Sequence, residues 1–465
     1  MKSKRLPNFE KGLDTIAAIA TPSGRGGIGI IRISGSHTQA IAVALIGRLP
    51  KPRHADYLKF LAIDGTPIDK GVVLYFPAPN SFTGEDVLEI QGHGGPIILD
   101  CLLQRVLQLG ARLARPGEFS ERAFLNGKLD LVQAEAIADL IDAESAQAAL
   151  AAMRSLQGEF SKHVNRMLET LIALRMYLEA SIDFSDETID FLKDSDAKKK
   201  LKAILLEIAK IKKVARQGVL LQEGMHIAIV GPPNVGKSSL LNKLTGQDSA
   251  IVTPVAGTTR DVIREKIHID GLPIHIVDTA GLRKIEDEVE QQGIKRSLAE
   301  IEKADRILWV VDSTITPLSD LKSLYLMDFF DNLSLNKRVT VIRNKIDINQ
   351  ESAHFSEEAN FDVISLSVKT GEGLSILHHY LKTSVGYEAG AEGNFSARRR
   401  HLEALDKAET ALTNGLDKLG CVDNQFPELL AEDLAIAQNH LNTITGQFTT
   451  EDLLGKIFSS FCIGK

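Results

Sequence analysis

Ile227-Ala228-Ile229-Val230 leads into Gly231-Pro232-Pro233-Asn234-Val235-Gly236-Lys237-Ser238, and Ser239-Leu240-Leu241-Asn242 follows. The four apolar residues read as a buried strand, and the segment after Ser238 opens with helical spacing. Between them stands Gly-x-x-x-x-Gly-Lys-Ser. Its glycines let backbone N–H groups close on phosphate oxygens at the mouth of a helix. In that frame Lys237 reaches the β- and γ-phosphates of a nucleotide, and the Ser238 hydroxyl ligates Mg2+. A strand, loop and helix in this order predict an α/β domain on a parallel sheet.

Apolar runs recur at 274–277, 307–311, 339–342 and 363–366, and helical stretches follow most of them. That alternation predicts a parallel sheet with helices on both faces. The loops after these runs carry chemistry. Asp278-Thr279-Ala280-Gly281 ends the second run; an aspartate there holds Mg2+ through water, and the Gly281 N–H meets a γ-phosphate. Gly257-Thr258-Thr259-Arg260-Asp261 lies in the switch position, with Thr259 as the second hydroxyl for Mg2+. Asn344-Lys345-Ile346-Asp347 follows the fourth run. The Asp347 carboxylate can accept both the N1–H and the 2-amino group of guanine, which adenine lacks, so GTP is selected over ATP. Ser367-Val368-Lys369 suits the loop closing over the base. The order resembles that of Ras-like GTPases across about 224–387. One departure stands out. Ras-type chains place a water-orienting glutamine directly after D-x-x-G, and this chain has Leu282. An apolar side chain cannot orient water; Glu286, Asp287, Glu288 and Glu290 are the nearby acidic alternatives, on a loop that reads equally as solvated.

The remaining residues set the frame. At 465 residues the chain exceeds one core. Residues 1–128 are rich in Gly and Pro, with short β-like runs and turn signals at Pro77-Ala78-Pro79-Asn80 and Gly92-His93-Gly94-Gly95-Pro96, which predicts an α+β domain. From 129 to 223 and again from 388 to 465 the pattern is that of amphipathic helices, long ones over 131–179. The expected architecture is an N-terminal α+β domain, a discontinuous helical domain, and an α/β domain at 224–387 inserted into it. A net charge of −7 excludes a surface that grips nucleic acid everywhere. Local candidates are Lys198-Lys199-Lys200 and Arg398-Arg399-Arg400-His401, each of which reads equally as a solvated helix face. Cys101, Cys421 and Cys462 form no metal pair or disulfide framework, as expected in a reducing cytoplasm. The basic start, Met1 to Arg5, lacks the apolar run of a signal peptide, and no stretch is long enough for a membrane span.

The flanking stretches narrow the choice. Gly26 to Gly35, Ser81-Phe82-Thr83-Gly84-Glu85-Asp86, Gln91 to Pro96, Arg115-Pro116-Gly117-Glu118-Phe119-Ser120 and the terminal Phe461-Cys462-Ile463-Gly464-Lys465 resemble the tRNA modification GTPase family MnmE (TrmE), in the TrmE-Era-EngA-like class of Ras-like GTPases. The resemblance is collinear from about Thr15 to Lys465. It implies C5 modification of the wobble uridine of certain tRNAs, installing aminomethyl or carboxymethylaminomethyl groups. It implies a homodimer formed through a folate-binding-like N-terminal domain, and a heterotetramer or larger complex with an FAD-carrying partner, the MnmG (GidA) protein. A tetrahydrofolate derivative (5,10-methylene or 5-formyl) would be the one-carbon donor, and Arg32, Glu89, Lys128 and Lys465 match the family's folate-contacting residues. By chemistry Glu89 can accept paired N–H bonds, while Arg32 or Lys128 can meet glutamyl carboxylates.

The family match assigns K+ to Asn234, Thr253, Val255 and Thr258, and the water-orienting role to Glu290, catalytic with Lys237. GTP contacts would come from Asn234, Val235, Gly236, Lys237, Ser238 and Ser239, from the loop Thr253, Pro254, Val255, Ala256, Gly257, Thr258 and Thr259, from Asp278, Thr279, Ala280 and Gly281, and from Asn344, Lys345, Asp347, Ser367, Val368 and Lys369. Arg260 and Asp261 read as structural, and Cys462 as a buried inert thiol near the substrate pocket, by the folate or the flipped uridine. The competing reading is a regulatory or ribosome-assembly GTPase, which would carry a basic RNA-binding module.

Overall fold

Strict alternation shapes the N-terminal sheet. In β2 (Gly26–Ser34), Ile31 and Ile33 are buried, so Arg32 must face the other way. The sheet runs β3-β4-β5-β2-β1-β6, with β1 (Ile16–Ile19), β3 (Asp56–Leu61), β4 (Pro67–Phe76), β5 (Val87–Gly94) and β6 (Arg112–Leu113); its pairs are antiparallel except β1 with β6. Helices α1 (Thr38–Ile46) and α2 (Pro96–Gln108) cover one face through Ile41, Leu45, Leu102 and Val106. Each such side chain contributes about 1.5–3 kcal/mol by leaving water. Helix α3 (Glu118–Leu125) sends Phe119 to the opposite face, against Ile16 and Ala18. Gly92 and Gly94 do not form the expected turn; β5 continues through them. A Cβ on Gly94 would lie 2.6 Å from the Gly26 carbonyl oxygen, so glycine serves close strand approach here rather than reversal.

The computed structural model describes residues 14–183, 195–247, 264–278, 304–317, 339–358, 361–388, 395–418, 427–447, 451–459, 461, 462 and 464. They divide into two units: 1–138 with 156–205 and 404–465, and 139–155 with 206–403.

The stretch 131–179 is broken into α4 (Leu131–Ile141), α5 (Ala146–Leu156) and the start of α6 (Glu159–Asp183). Ser145 Oγ accepts from the Ala148 N–H at the start of α5, and Gly158 takes a φ of 85° before α6, so caps override the continuous apolar periodicity. Helix α7 (Ser195–Glu223) leads into the second sheet.

That sheet runs β12-β13-β11-β10-β7-β9-β8. Strands β7 (Met225–Val230), β9 (Leu272–Asp278), β10 (Arg306–Asp312), β11 (Val339–Asn344) and β13 (Asp362–Ser365) are parallel neighbours. The two edges, β8 (Arg264–Ile269) and β12 (His354–Glu357), are antiparallel and correct the purely parallel expectation. Both carry charged residues, and β12 has only four residues, which blunts an open edge. Among the described residues, helices α8 (Lys237–Gln247), α9 (Ile346–Asn349) and α10 (Leu374–Ser384) accompany this sheet.

After it come α11 (Arg399–Lys418), α12 (Pro427–Thr445) and α13 (Glu451–Ser459). Helix α12 packs along α6, and α13 packs through Ile457 and Phe458 on Leu131 and Phe124. The chain is thus multidomain: an N-terminal α+β domain, a helical domain assembled from two distant segments, and an α/β domain between them.

Candidate functional site

Among the described residues, the phosphate loop and the base-reading loops leave the carboxyl ends of the parallel strands β7, β11 and β13, and Asp278 ends β9. Ile229 pairs with Asp278, and Asp312 with Asn344. The strand order therefore sets the base-reading loops after β11 and β13 on one side of the phosphate loop and Asp278 on the other. This is the crevice in which open α/β sheets hold ligands.

The phosphate loop turns tightly. Gly231 has φ 149°, and a Cβ there would lie 2.2 Å from the Val310 carbonyl oxygen; a Cβ on Gly236 would lie 2.3 Å from Asn344 Nδ2. No other residue fits either position. Asn234 takes φ 64° and is exposed. Lys237 Nζ donates to the carbonyls of Gly231 (2.8 Å) and Pro232 (2.7 Å), which braces the loop across its width. Ser238 and Ser239 are exposed at the start of α8.

Asn344 ties this loop to the base side. Its Nδ2 donates to the Val235 carbonyl (2.8 Å), and its Oδ1 accepts from the N–H of Val368 (3.0 Å) and of Lys345 (2.8 Å). It is 3% exposed, so its polar atoms serve the protein and position both loops. Lys345 sits at φ 71°, and its Nζ donates to Asp312 Oδ2 at 2.6 Å. Burial alone would raise the Asp312 pKa, but the bonds from Lys345 and from the Thr314 hydroxyl and N–H hold the carboxyl below its usual value. Ser367 Oγ donates to Asp347 Oδ1 at 2.6 Å. One carboxylate oxygen is thereby oriented, and the remaining lone pairs can accept paired N–H donors from a base.

A cavity of about 580 Å3 opens among these groups, lined by Asn234, Gly236, Ser239, Asn344, Asp347, Val368 and Lys369. This is the size of a nucleotide-class pocket. Asn242, Lys243 and Ile348 line it too and were not singled out from the sequence. The first two share a helix face with Ser239 at three- and four-residue spacing, a signal the sequence did contain. Asp312 was also missed; nothing local marks it, because its role is to hold Lys345 from a neighbouring strand.

The magnesium-side set is described only in part. Ser238 lies at the first turn of α8, and the backbone of Asp278 lies beside β7. An exposed hydroxyl with a carboxylate residue across the loop fits a hard, oxygen-seeking cation. Thr253, Pro254, Val255, Ala256, Gly257, Thr258, Thr259, Thr279, Ala280, Gly281 and Glu290 lie outside the described residues, as do Arg260, Asp261, Leu282 and Lys465.

The N-terminal domain holds a second cluster. Arg32 and Glu89 are register partners, so they share a face, and Arg32 Nε donates to Glu89 Oε1 at 2.9 Å. The guanidinium lies 5.6 Å from the Phe82 ring centroid and 5.7 Å from that of Phe119. Its Nη1 donates to the Gly464 carbonyl at 3.3 Å, which brings the chain terminus to the same place. Lys128 Nζ donates to the Pro79 carbonyl at 2.9 Å. The Glu118 carboxylate, just beside Phe119, is buried. Burial by itself would raise its pKa, but the paired bonds from Arg112, the Arg115 N–H and the Arg122 charge pull it down to about 2. Cys462 is exposed rather than buried. The basic stretch 398–401 is engaged within the protein: Arg398 pairs with Asp139, Arg399 with Glu223, and His401 is 1% exposed. It is a structural seam, not a nucleic-acid face.

The chain resembles a GTP-binding protein of Sulfolobus solfataricus solved with GDP (21% identity, 47% of this chain and 66% of that one, TM-score 0.26). It resembles the G domain of the Thermotoga maritima FeoB iron transporter (25%, 34% and 98%, TM-score 0.25) and Aquifex aeolicus Era bound to GDP and aluminium fluoride (28%, 40% and 66%, TM-score 0.25). The chain thus spans just under two thirds of the first and third of these proteins, and TM-scores this low leave the assignment to two family models. One, described as GTP-binding protein TrmE N-terminus, matches residues 15–128; the other, the MnmE helical domain, matches 131–462, well over half of the chain. Sharing both, the chain belongs to the MnmE/TrmE family of GTP-binding proteins.

Proposed function

We propose that this chain is a GTP-hydrolysing enzyme of tRNA modification. With the FAD-carrying MnmG (GidA) protein it adds an aminomethyl or carboxymethylaminomethyl group at C5 of the wobble uridine. The carbon comes from a tetrahydrofolate derivative, and hydrolysis is stimulated by K+. The observation that carries the nucleotide half is the Asn344 tie, which holds the phosphate loop and the Asp347–Ser367 pair around one cavity.

In this reading Asp347 accepts the guanine N1–H and 2-amino group. The α8 N-terminus and Lys237 meet the phosphates, at a positive helix end. Ser238, Thr259 and Asp278 hold Mg2+, which neutralises phosphate charge when bound. Asn234, Thr253, Val255 and Thr258 hold K+, which supplies further positive charge at the phosphates. Glu290 orients the attacking water in place of the residue at Leu282.

In the N-terminal domain the Arg32–Glu89 pair supports a planar, hydrogen-bonding ligand. Glu89 accepts its N–H groups, Phe82 and Phe119 flank the guanidinium, and Lys465 is a further folate contact in this reading. Arg32 and Glu89 then act at one end of the folate rather than at opposite ends, with Lys128 left for the other. Homodimerisation through this domain and a cytoplasmic location belong to the same proposal. Among the described residues no helix is long and apolar enough to cross a membrane.

The test is tRNA nucleoside analysis by mass spectrometry in a strain lacking the gene. The C5 substituent should vanish, return with the intact chain, and stay absent with Glu89→Ala. A strain whose wobble uridines keep their substituents without the chain would overturn the proposal.

A further inference from the structure

Two stretches of the N-terminal domain have no task once the folate contacts are assigned: the loop Ser81 to Asp86 and the helix α3. They meet at Arg32. The Phe119 ring, from α3, lies 5.7 Å from the guanidinium and is 0% exposed. The Phe82 ring, from the loop, lies at 5.6 Å and is 37% exposed. Of the two aromatic rings, Phe82 is therefore the one that a ligand at Arg32 and Glu89 can touch.

Polar groups fix the loop that carries it. Ser34 Oγ donates to Glu85 Oε2 at 2.7 Å. A hydroxyl has one proton, so Thr83 Oγ1 is the donor in its 2.7 Å bond with Ser34 Oγ, and it accepts from the Glu85 N–H at 3.2 Å. Arg122 Nη1 donates to both oxygens of Glu85, at 3.2 and 3.0 Å, and its Nη2 is anchored on Asp14 at 2.9 Å. Asn126 Nδ2 donates to the Thr83 carbonyl at 2.7 Å. Between them Gly84 takes φ 80°, and a Cβ there would lie 3.1 Å from that of Asn126. Phe119, Arg122 and Asn126 recur at three- and four-residue spacing, so one side of α3 and its C-cap supplies both the buried ring and the clamps on the exposed one. Thr83 is fully buried and the Arg122 side chain is 11% exposed, so these bonds are shielded from water and stronger than surface pairs.

We infer that Thr83, Glu85 and Arg122 are positioning residues of the folate site: they hold Phe82 where it closes over a planar pterin-type ring bound at Arg32 and Glu89. A wall fixed in advance spares the ordering cost that a mobile loop pays on binding. The inference rests on the folate part of the function proposed above, and it adds which groups shape that pocket without touching the ligand.

The experiment titrates 5-formyltetrahydrofolate into the full chain by calorimetry and records the melting temperature of each protein without ligand. Phe82→Ala should weaken binding about 10-fold, the loss of one aromatic contact. Glu85→Gln keeps an acceptor for Ser34 but loses the charge that Arg122 grips, and should weaken binding about 3- to 10-fold. In the Phe82→Ala background the same Glu85→Gln change should weaken binding by less than about twofold, because it acts through a ring that is gone. Its effect on the melting temperature, the purely structural share, should be the same in both backgrounds. Thr83→Val removes two bonds at nearly constant volume and gives the same comparison if Glu85→Gln fails to melt cooperatively. Losses of affinity that multiply in the double variant would overturn the positioning role, as would parental affinity in Phe82→Ala or in both loop variants. No binding of 5-formyltetrahydrofolate by the unaltered chain would instead overturn the folate reading, and this inference with it.

Discussion

Replacing Asn344 by Ala removes the tie between the two sides of the nucleotide cavity. The substitution leaves the Val235 carbonyl without its 2.8 Å donor and the N–H groups of Val368 and Lys345 without their acceptor, at 3.0 and 2.8 Å, at a position only 3% exposed. An orphaned buried polar group costs about 1–3 kcal/mol. Since the loops can relax, the three together should cost about 2–4 kcal/mol, which is about a 30- to 700-fold loss of guanine-nucleotide affinity if the pocket bears all of it. The part the pocket does not bear appears as a lower melting temperature. Affinity is read by titration with a fluorescent GDP analogue, and stability by calorimetry on the same protein. Asn344→Asp sharpens the test: it keeps an acceptor for Val368, but it sets a carboxylate against the Val235 carbonyl, so it should bind no better than Ala. A Kd within about threefold of the parent, with an unchanged melting temperature, would refute the argument that one buried side chain holds the cavity together.

Asp347→Asn should lower GTP affinity by about 10²- to 10⁴-fold and favour xanthosine nucleotides, because an amide presents a donor where guanine also donates; unchanged guanine preference in a competition assay would count against the assignment. Exchanging K+ for Na+ should slow hydrolysis about 10- to 1000-fold, and equal steady-state rates would remove the ion from the mechanism. Glu290→Ala should lower kcat about 100-fold with little change in nucleotide affinity, and a normal kcat would return the water-orienting role to another group. Glu118, with its pKa pulled down to about 2, stabilises the fold above the unfolded carboxyl value of 4.5, and that stability is lost as pH falls toward 2. The melting temperature should therefore drop through this window in the parent and be flatter there in Glu118→Gln; parallel curves would show that the Arg112 pairing adds nothing.

Much of the fold was legible because its signals are local. Four-residue apolar runs followed by Gly-rich or Asx-rich turns mark parallel strands, and the phosphate, D-x-x-G and base-reading motifs each sit directly after such a run. The edge strands β8 and β12 were not legible. They are half-polar and stabilised by pairing with a neighbour rather than by their own pattern, as edge strands are. Gly92 and Gly94 misled for a related reason: glycine marks a turn and a close strand approach equally well, and only the partner strand decides between them. The long helices expected over 131–179 are divided at caps whose effect depends on which groups pack nearby.

What the amino-acid order determined is the chemistry of the phosphate loop: two glycines, a lysine and a serine at fixed spacing dictate a backbone cradle wherever a strand feeds a helix. What only the tertiary structure decided is how that cradle is held and what surrounds it. Asn344, more than a hundred residues away, is the side chain whose two bonds join the loop to the base side, and Asp312 orients Lys345 from a neighbouring strand. Arg32 meets Glu89 and the carbonyl of Gly464 across nearly the whole chain length. Sequence spacing encodes contacts within a turn or a helix; contacts between elements depend on sheet order and register, which the sum of all packing fixes and no single segment contains.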